Sequence, residues 1–307
     1  MQIVITGATG LIGSALTRNL RESGYKIIAL TRDPAKSEAI QEANIEYVKW
    51  DGTTSSGWAK YVENADVVVN LAGANLVDKL WTSKVKRVIL DSRIYAGKAV
   101  LQAIMRAKKK PKLLIQASAT GYYGSRGDNE LTESSKKGVG FLSDVCQQWE
   151  DSTKMVEAHG VRRVVVRTGV VLAKDSKIIS MLRLPFRLFL GGHPGSGKQW
   201  FSWIHLQDVV NSFNFFIQRQ DLKGVFNVCA PEPVQMRKYF ETYGNLLDRP
   251  SWIHPPSFIF KIILGDLAKE GILTSQRVLP IKLKKAGYKF KFPKINSSLK
   301  NCLKSKT

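Results

Sequence analysis

The stretch QIVITGATGLIGSALTRNLRESGYKIIALTRD, residues 2–33, decides the fold. It opens on an apolar run from Gln2 to Thr6 that reads as a buried strand, followed by a glycine turn and an amphipathic helix through Leu20. Gly24 stops that helix, and a second apolar strand ends at Leu30-Thr31-Arg32. The unit is β-α-β. Gly7, Gly10 and Gly13 are spaced for a tight turn, a close backbone approach to a pyrophosphate, and close packing of helix on strand. Because the motif leaves a strand and opens a helix, it points to dinucleotide binding.

The end of the second strand bears on which dinucleotide. An NAD site places a carboxylate there for the adenosine ribose, whereas Arg32 would pair with a 2′-phosphate that a carboxylate repels. NADP(H) is favoured. The alternative makes Arg32 a solvated strand-end charge and gives the ribose role to Asp33.

The alternation continues along the chain. IEYVKWD reads as a third strand with Asp51 at its carboxyl end, where an adenine amino group could be met, and ADVVVNLAG, residues 65–73, as a fourth. A helix from about Ser83 to Lys108, a fifth strand and loop in KLLIQASATGYYG, a helix from about Phe141 to Ala158, and a sixth strand in RRVVVRTGVVL follow. Strands alternating with helices predict an α/β fold with a doubly wound parallel sheet, whose ligands lie across the carboxyl ends of the strands. A dinucleotide-binding domain over 1–229, with a loop inserted at about 174–204, is expected to carry a smaller C-terminal α/β lobe over 230–307. That lobe shows helical patterns at Met236 to Leu247, from Phe258, and over ILTSQRVLPIKLKKAGYKF, the last stopped by Gly287.

Composition narrows the function classes. The chain has 307 residues, 44% of them hydrophobic, enough for a substantial core. Cys146, Cys229 and Cys302 are far apart and form no C-x-x-C, so neither a zinc site nor a disulfide framework is indicated, and a reducing cytoplasm fits. No window holds the ~18 apolar residues of a membrane span. The 47 Lys and Arg against 25 Asp and Glu give +22, a field that attracts polyanions and anionic membranes non-specifically. No helix-turn-helix, RNA-binding sheet or zinc-finger signature accompanies it, so no specific nucleic-acid role is expected. A monomer or homodimer is anticipated.

GGHPGSGKQW, residues 191–200, contains G-x-x-x-x-G-K, but Gln199 stands where an NTPase needs a Ser or Thr. RLPFRLFL leads in and QWFSWIHLQD leads out, a context that reads as loop, short strand and turn rather than strand and long helix.

Together, TGATGLIG at 6–13, NLAG at 70–73, DSRI at 91–94, SATGYYG at 118–124, RTGVVL at 167–172, LPFR at 184–187, GSGKQWFSWIH at 195–205, APEPV at 230–234 and QRVLP at 276–280 resemble the epimerase-family proteins of the extended and atypical short-chain dehydrogenase/reductases. The resemblance runs in order through nearly the whole chain. It implies an NADP(H)-binding Rossmann domain, a small C-terminal domain, and a polar small-molecule substrate, nucleotide-linked in many such proteins. Cofactor contacts are implied at Thr9, Leu11, Ile12, Thr31, Leu71, Ala72, Gly73 and Val171, and at Arg93 on the helix bordering the nicotinamide. The glycine segment around 195–199 resembles the substrate-side loop of this family, making Lys198, Gln199 and Trp200 substrate candidates, while His205 and Asp208 fix that loop to the next helix.

The catalytic pattern departs from the family. Ser118 matches the strand-end serine, but the expected Tyr-x-x-x-Lys is missing: no tyrosine in the chain is followed four residues later by lysine. Tyr122 or Tyr123, near Arg126, are the substitutes, although an arginine does not shuttle a proton. Two functions stay open: an NADP(H)-dependent oxidoreductase or epimerase using Ser118 and Tyr122, and an NADPH-binding redox sensor with little turnover.

Overall fold

The computed structural model describes residues 1–34 and 43–304. Seven strands form the central sheet: β1 (Gln2–Thr6), β2 (Lys26–Thr31), β3 (Ile45–Lys49), β4 (Val67–Asn70), β5 (Leu113–Ala119), β6 (Arg162–Thr168) and β7 (Gly224–Val228), in spatial order β7-β6-β5-β4-β1-β2-β3. Every neighbouring pair is parallel. The inner strands, buried on both faces, are near-continuous Val, Ile and Leu, as β4 (VVVN) and β5 (LLIQASA) illustrate, whereas the edge strand β3 (IEYVK) is only half-buried. The order reverses between β4 and β1, which opens a crevice at the carboxyl ends of those two strands.

Helices cover both faces. On one, α1 (Leu11–Glu22) supplies Leu16 and Leu20, and a core shared with Ile3, Ile5, Val164 and Val166 is completed by Phe213 and Phe216 from the later helix Leu206–Gln218. On the other face α2 (Ser83–Arg106) packs Ala96, Val100, Ala103 and Ile104 against Val4, Val68 and Leu114. The remaining helices are α3 (Phe141–Asp151), α4 (Lys177–Arg187), α5 (Leu206–Gln218), α6 (Met236–Asn245), α7 (Ser257–Leu264), α8 (Ile281–Lys285) and α9 (Ile295–Leu303). A third core joins α4, α6 and α9 through Ile179, Phe186, Tyr239, Tyr243 and Leu299. Leu283 and Tyr288, far along the C-terminal part, lie in the same core as Ile3 and Leu16.

Several elements differ from the sequence pattern. The helix expected to reach Ala158 ends at Asp151, and a 3-10 turn over Lys154–His159 closes on Gly160 at φ 78°. RRVVVRTGVVL breaks at Gly169, where a side chain would come within 2.9 Å of the Ser202 carbonyl oxygen; Val170–Leu172 then pairs with Trp203–His205. RLPFR closes α4 instead of forming a loop, because a proline in the last turn costs only one helical hydrogen bond. ILTSQRVLPIKLKK is not one helix: Arg277–Val278 pairs with Glu130–Leu131, and Pro280 holds its predecessor out of helical geometry before α8 begins.

Candidate functional site

β1 ends at Thr6, where the backbone turns into α1. Gly7 takes φ +66°, and a side chain on it would press on the Leu71 backbone at 3.0 Å. A Cβ on Gly13 would sit 2.1 Å from the Gly7 carbonyl oxygen, so helix and turn approach as only glycine permits. Thr9, Gly10 and Leu11 are exposed beside this crossing, and Ile12 is half-buried. Gly10 is the N-cap of α1, with no side-chain cap and no acidic residue in the first turn, leaving the helix's first N–H groups and positive dipole end for an anion.

Thr6 fastens the opposite wall. Its Oγ1 donates to Asn70 Oδ1 at 2.7 Å and accepts from the amides of Leu71 at 3.1 Å and Ala72 at 3.2 Å. Gly73 follows, exposed, and a Cβ there would lie 3.1 Å from Arg93 Cγ and Cζ. Arg93 is buried on α2, donates to the Ile89 carbonyl at 2.8 Å and stacks 5.0 Å from the Trp149 ring. No carboxylate pairs with it among the described residues; burial lowers its pKa, with Cys146 nearby acting the other way.

Thr31 is buried, and its Oγ1 accepts from Asp33 N. Arg32 is exposed at the carboxyl end of β2, next to residues 35–42, which lie outside those described. Asp51 builds its own turn: its carboxylate accepts from Thr53 N at 2.7 Å and from Thr54 N and Oγ1, and although burial acts upward these bonds hold its pKa down to about 2. An adenine amino group would have to share those oxygens. Val171 is half-buried in the strand beyond Gly169.

At the end of β5, Ser118 Oγ donates to Glu150 Oε1 at 2.6 Å. The same carboxylate receives Arg167 Nε and Nη2, each at 2.8 Å, a buried bidentate pair that raises the Arg167 pKa against the pull of burial. Arg167 lies 3.2 Å from the Tyr122 ring centroid, and its Nη1 donates to Tyr123 Oη at 3.1 Å. Tyr123 in turn donates to Asn227 Oδ1 at 2.7 Å. It is fully buried, and burial pushes its pKa up to about 12, so it serves as a buttress of β6 and β7 instead of a proton donor to a substrate. Tyr122 is half-buried, and its hydroxyl has no partner among the described residues.

Leu142, Cys146 and Glu150, each one turn apart, face the end of β5: a Gly121 Cβ would meet Leu142 Cβ at 3.3 Å and Cys146 Sγ at 3.7 Å. Burial pushes the Cys146 thiol up to about 11, with Glu150 adding to the effect. No member of this row combines a phenol with a neighbouring ammonium.

The C-terminal part closes the side. Glu270 accepts from Phe141 N at 3.0 Å and Leu142 N at 2.7 Å, capping α3 in the absence of a side-chain cap of its own. With Lys269, Thr274, Gln276, Ser125 and Ser143 it borders a cavity of about 80 Å³. Gln276 is only 8% exposed, and its backbone N–H donates to the Trp200 carbonyl. In the glycine segment, Lys198 is exposed, while Gln199 is buried and spends its Nε2 on the Pro194 carbonyl at 3.0 Å, closing its own loop. Trp200 Nε1 donates to Asp128 at 2.7 Å, and its carbonyl accepts from Gln276 N. Of the three substrate candidates, Trp200 is thus tied to the cavity wall, and Gln199 is turned inward.

His205 and Asp208 are structural. His205 Nδ1 accepts from Gln207 N at 3.0 Å as the N-cap of α5, and Asp208 accepts from the amides of Lys291 and Phe292. Sequence reasoning missed Glu150, Arg167, Glu270 and Gln276. For Arg167 the signal was a charge at the end of a buried VVVR run; Glu150 sits on the apolar face of its helix at Val145 and Trp149 spacing, but nothing local marks Glu270 or Gln276.

The parallel sheet, the glycine crossing and the switch-point crevice define a Rossmann dinucleotide-binding protein. The chain belongs to the NAD dependent epimerase/dehydratase family, whose profile matches residues 3–229, and residues 255–302 match a domain of unknown function (DUF1731). It is 37% identical over 302 residues to the epimerase family protein SDR39U1 homolog, chloroplastic, of Arabidopsis thaliana, covering 98% of this chain and 86% of that protein. It is 36% identical over 305 residues to epimerase family protein MW0731 of Staphylococcus aureus, covering 99% of each. The crystal structure of human epimerase family protein SDR39U1 with NADPH matches with a TM-score of 0.86 at 28% identity, over 98% of this chain and 99% of that one. Among the described residues no helix is long and apolar enough to cross a membrane, and no group of three or more His, Cys, Asp or Glu could hold a metal.

Proposed function

We propose that the protein is an NADP(H)-dependent oxidoreductase or epimerase of a polar small molecule, working without a Tyr-Lys pair. The observation that carries this reading is Arg93, a buried guanidinium with no carboxylate among the described residues, packed on Gly73 across the crevice from the bare N-terminus of α1. A buried cation held without a counter-charge is costly, and an anionic cofactor would supply one. The human relative crystallised with NADPH supports the phosphorylated form, as does the absence of a carboxylate at position 32.

When bound, the nicotinamide exchanges a hydride. Gly7, Gly10 and Gly13 admit the pyrophosphate to the amides of α1, Arg32 meets the 2′-phosphate, and Arg93 the nicotinamide half. Ser118 has given its proton to the hydrogen bond with Glu150, so toward a substrate its Oγ accepts, which suits holding a hydroxyl better than polarising a carbonyl. Tyr122, with an unspent phenol beside Arg167, is the group that can exchange a proton there.

A second reading, an NADPH-binding sensor with little turnover, draws on the Leu142-Cys146-Glu150 row that replaces the usual acid. One set of measurements separates them. NADPH should bind more tightly than NADH, and Arg32→Asp should reverse the order; equal affinities in the parent protein would overturn the NADP(H) assignment. In a panel of nucleotide-sugars, quinones and small carbonyls or alcohols, at least one compound should turn over, with Tyr122→Phe lowering the rate ~100-fold as a lost proton-exchange group and Ser118→Ala lowering it only ~10-fold as one lost substrate hydrogen bond, both sparing NADPH binding. Tight NADPH binding with no turnover across the panel would leave the sensor.

A further inference from the structure

α7 reads SFIFKIIL, and none of its residues is buried. Phe258 and Ile262, one turn apart, are 58% and 78% exposed. α4 is similar: it buries Ile179 and Phe186 in the core, while Met181, Leu184 and Leu188, at spacings of three and four, stand out on another face. The chain joins these two surfaces. Trp252 Nε1 donates to the Phe189 carbonyl at 2.8 Å, Trp252 and Ile253 amides both donate to Gly191 O, and Gly195 N donates to Pro255 O at 2.9 Å. The strip after α4 is therefore laced to the strip before α7, with Trp252 65% exposed between them.

A monomer rarely exposes so much contiguous apolar surface without a use for it. The polar residues set among these groups indicate the use. Residues 177–190 and 249–264 hold Arg183, Arg187, Arg249 and Lys261, together with Lys177, which pairs with Asp78, and no Asp or Glu, on a chain of net charge +22. Two copies meeting through this face would oppose basic groups to basic groups, and a nucleic acid has no need of exposed Leu, Ile and Phe. An apolar face rimmed by Lys and Arg, with a tryptophan at its edge, matches an anionic bilayer surface, where the side chains enter the acyl boundary and the cations meet the headgroups.

We propose that the α4–α7 face docks the protein on anionic membrane surfaces. None of the residues of this face is among those assigned to hold the cofactor, so docking and cofactor binding can be measured separately.

The test is flotation of the full-length protein with vesicles of phosphatidylglycerol or of phosphatidylcholine, with tryptophan emission recorded in parallel. Binding to phosphatidylglycerol should be at least ~10-fold stronger and weaken as salt rises. Ile262→Glu and, separately, Leu184→Glu should each lower it ~10-fold while NADPH affinity stays unchanged, and Trp252 emission should shift to the blue only with the anionic vesicles. Equal binding to both lipids, or binding indifferent to both substitutions, would overturn the proposal. Concentration-dependent dimerisation abolished by Ile262→Glu, with no vesicle binding, would assign the face to a second copy instead.

Discussion

Ser118 and Glu150 are joined by a 2.6 Å hydrogen bond in which the serine is the donor, and the carboxylate that receives it is held through both oxygens by Arg167. The serine's position at the strand end follows the family, but its proton points into the protein. Both charged groups are less than a tenth exposed. Glu150→Gln should therefore destabilise the protein by ~3–5 kcal/mol, because it strands a buried guanidinium. Urea unfolding checks this; a loss below ~1 kcal/mol would mean that solvent already reaches Arg167.

The glycine crossing separates folding from binding. Gly13→Ala puts a methyl 2.1 Å from the Gly7 carbonyl oxygen and should lower both the melting temperature and NADPH affinity. At Gly10 the added methyl meets Gly7 O at 3.4 Å, an ordinary contact, so Gly10→Ala should leave melting nearly unchanged yet weaken NADPH at least ~10-fold by obstructing the pyrophosphate. Fluorescence titration and thermal melts on the two variants decide it.

Arg93→Ala should weaken NADPH by more than twofold without loss of stability in the free protein, since the guanidinium lacks a carboxylate to abandon. Arg93→Lys should restore only part of the affinity, because an ammonium cannot reproduce the planar contact on Trp149. Affinity within twofold of the parent in Arg93→Ala would make this residue a packing element.

His205 predicts an acid-side loss of stability. Its Nδ1 accepts from Gln207 N, so the neutral ring carries its proton on Nε2 toward Asn301. Burial pushes the pKa from 6.5 down to about 4, with the Asn301 bond opposing. The unfolded chain then takes up the proton first as pH falls. The contribution is complete above pH 6.5 and is lost progressively between 6.5 and about 4, amounting to ~3 kcal/mol at most. His205→Asn should flatten urea stability across that window; an unchanged slope would assign the acid sensitivity to other groups.

The dinucleotide half was legible because its signals are local. Gly7, Gly10 and Gly13 carry a geometric demand within one turn of chain, and the runs around Val4, Val68 and Val165 declare buried parallel strands. The reaction end was legible only in outline. Ser118 and the absence of Tyr-x-x-x-Lys can be read directly, but the partnership of Ser118 with Glu150 and of Glu150 with Arg167 spans 32 and 17 residues and arises only when β5, α3 and β6 pack together. Tyr123 misled for the same reason: its ring touches that of Tyr122, but its hydroxyl is buried and bonded to Asn227, 104 residues away. RLPFR misled because proline is a helix breaker only when turns remain to be broken.

Asp208 gives the fold a late-closing latch. Its two carboxylate oxygens accept from the amides of Lys291 and Phe292, and its backbone carbonyl takes the Tyr288 hydroxyl. Burial raises its pKa, and those donors are what offset the cost of keeping its charge in the interior. All of them lie 80 or more residues after Asp208 in the chain. A nascent chain on the ribosome must therefore wait with an uncompensated acid at the base of a helix that carries Phe213 and Phe216 into the central core. The order of synthesis makes residues 288–292 a condition for completing the core that α5 joins, so a chain cut at about 287 should yield a species that holds its sheet but is recognised by chaperones as unfinished.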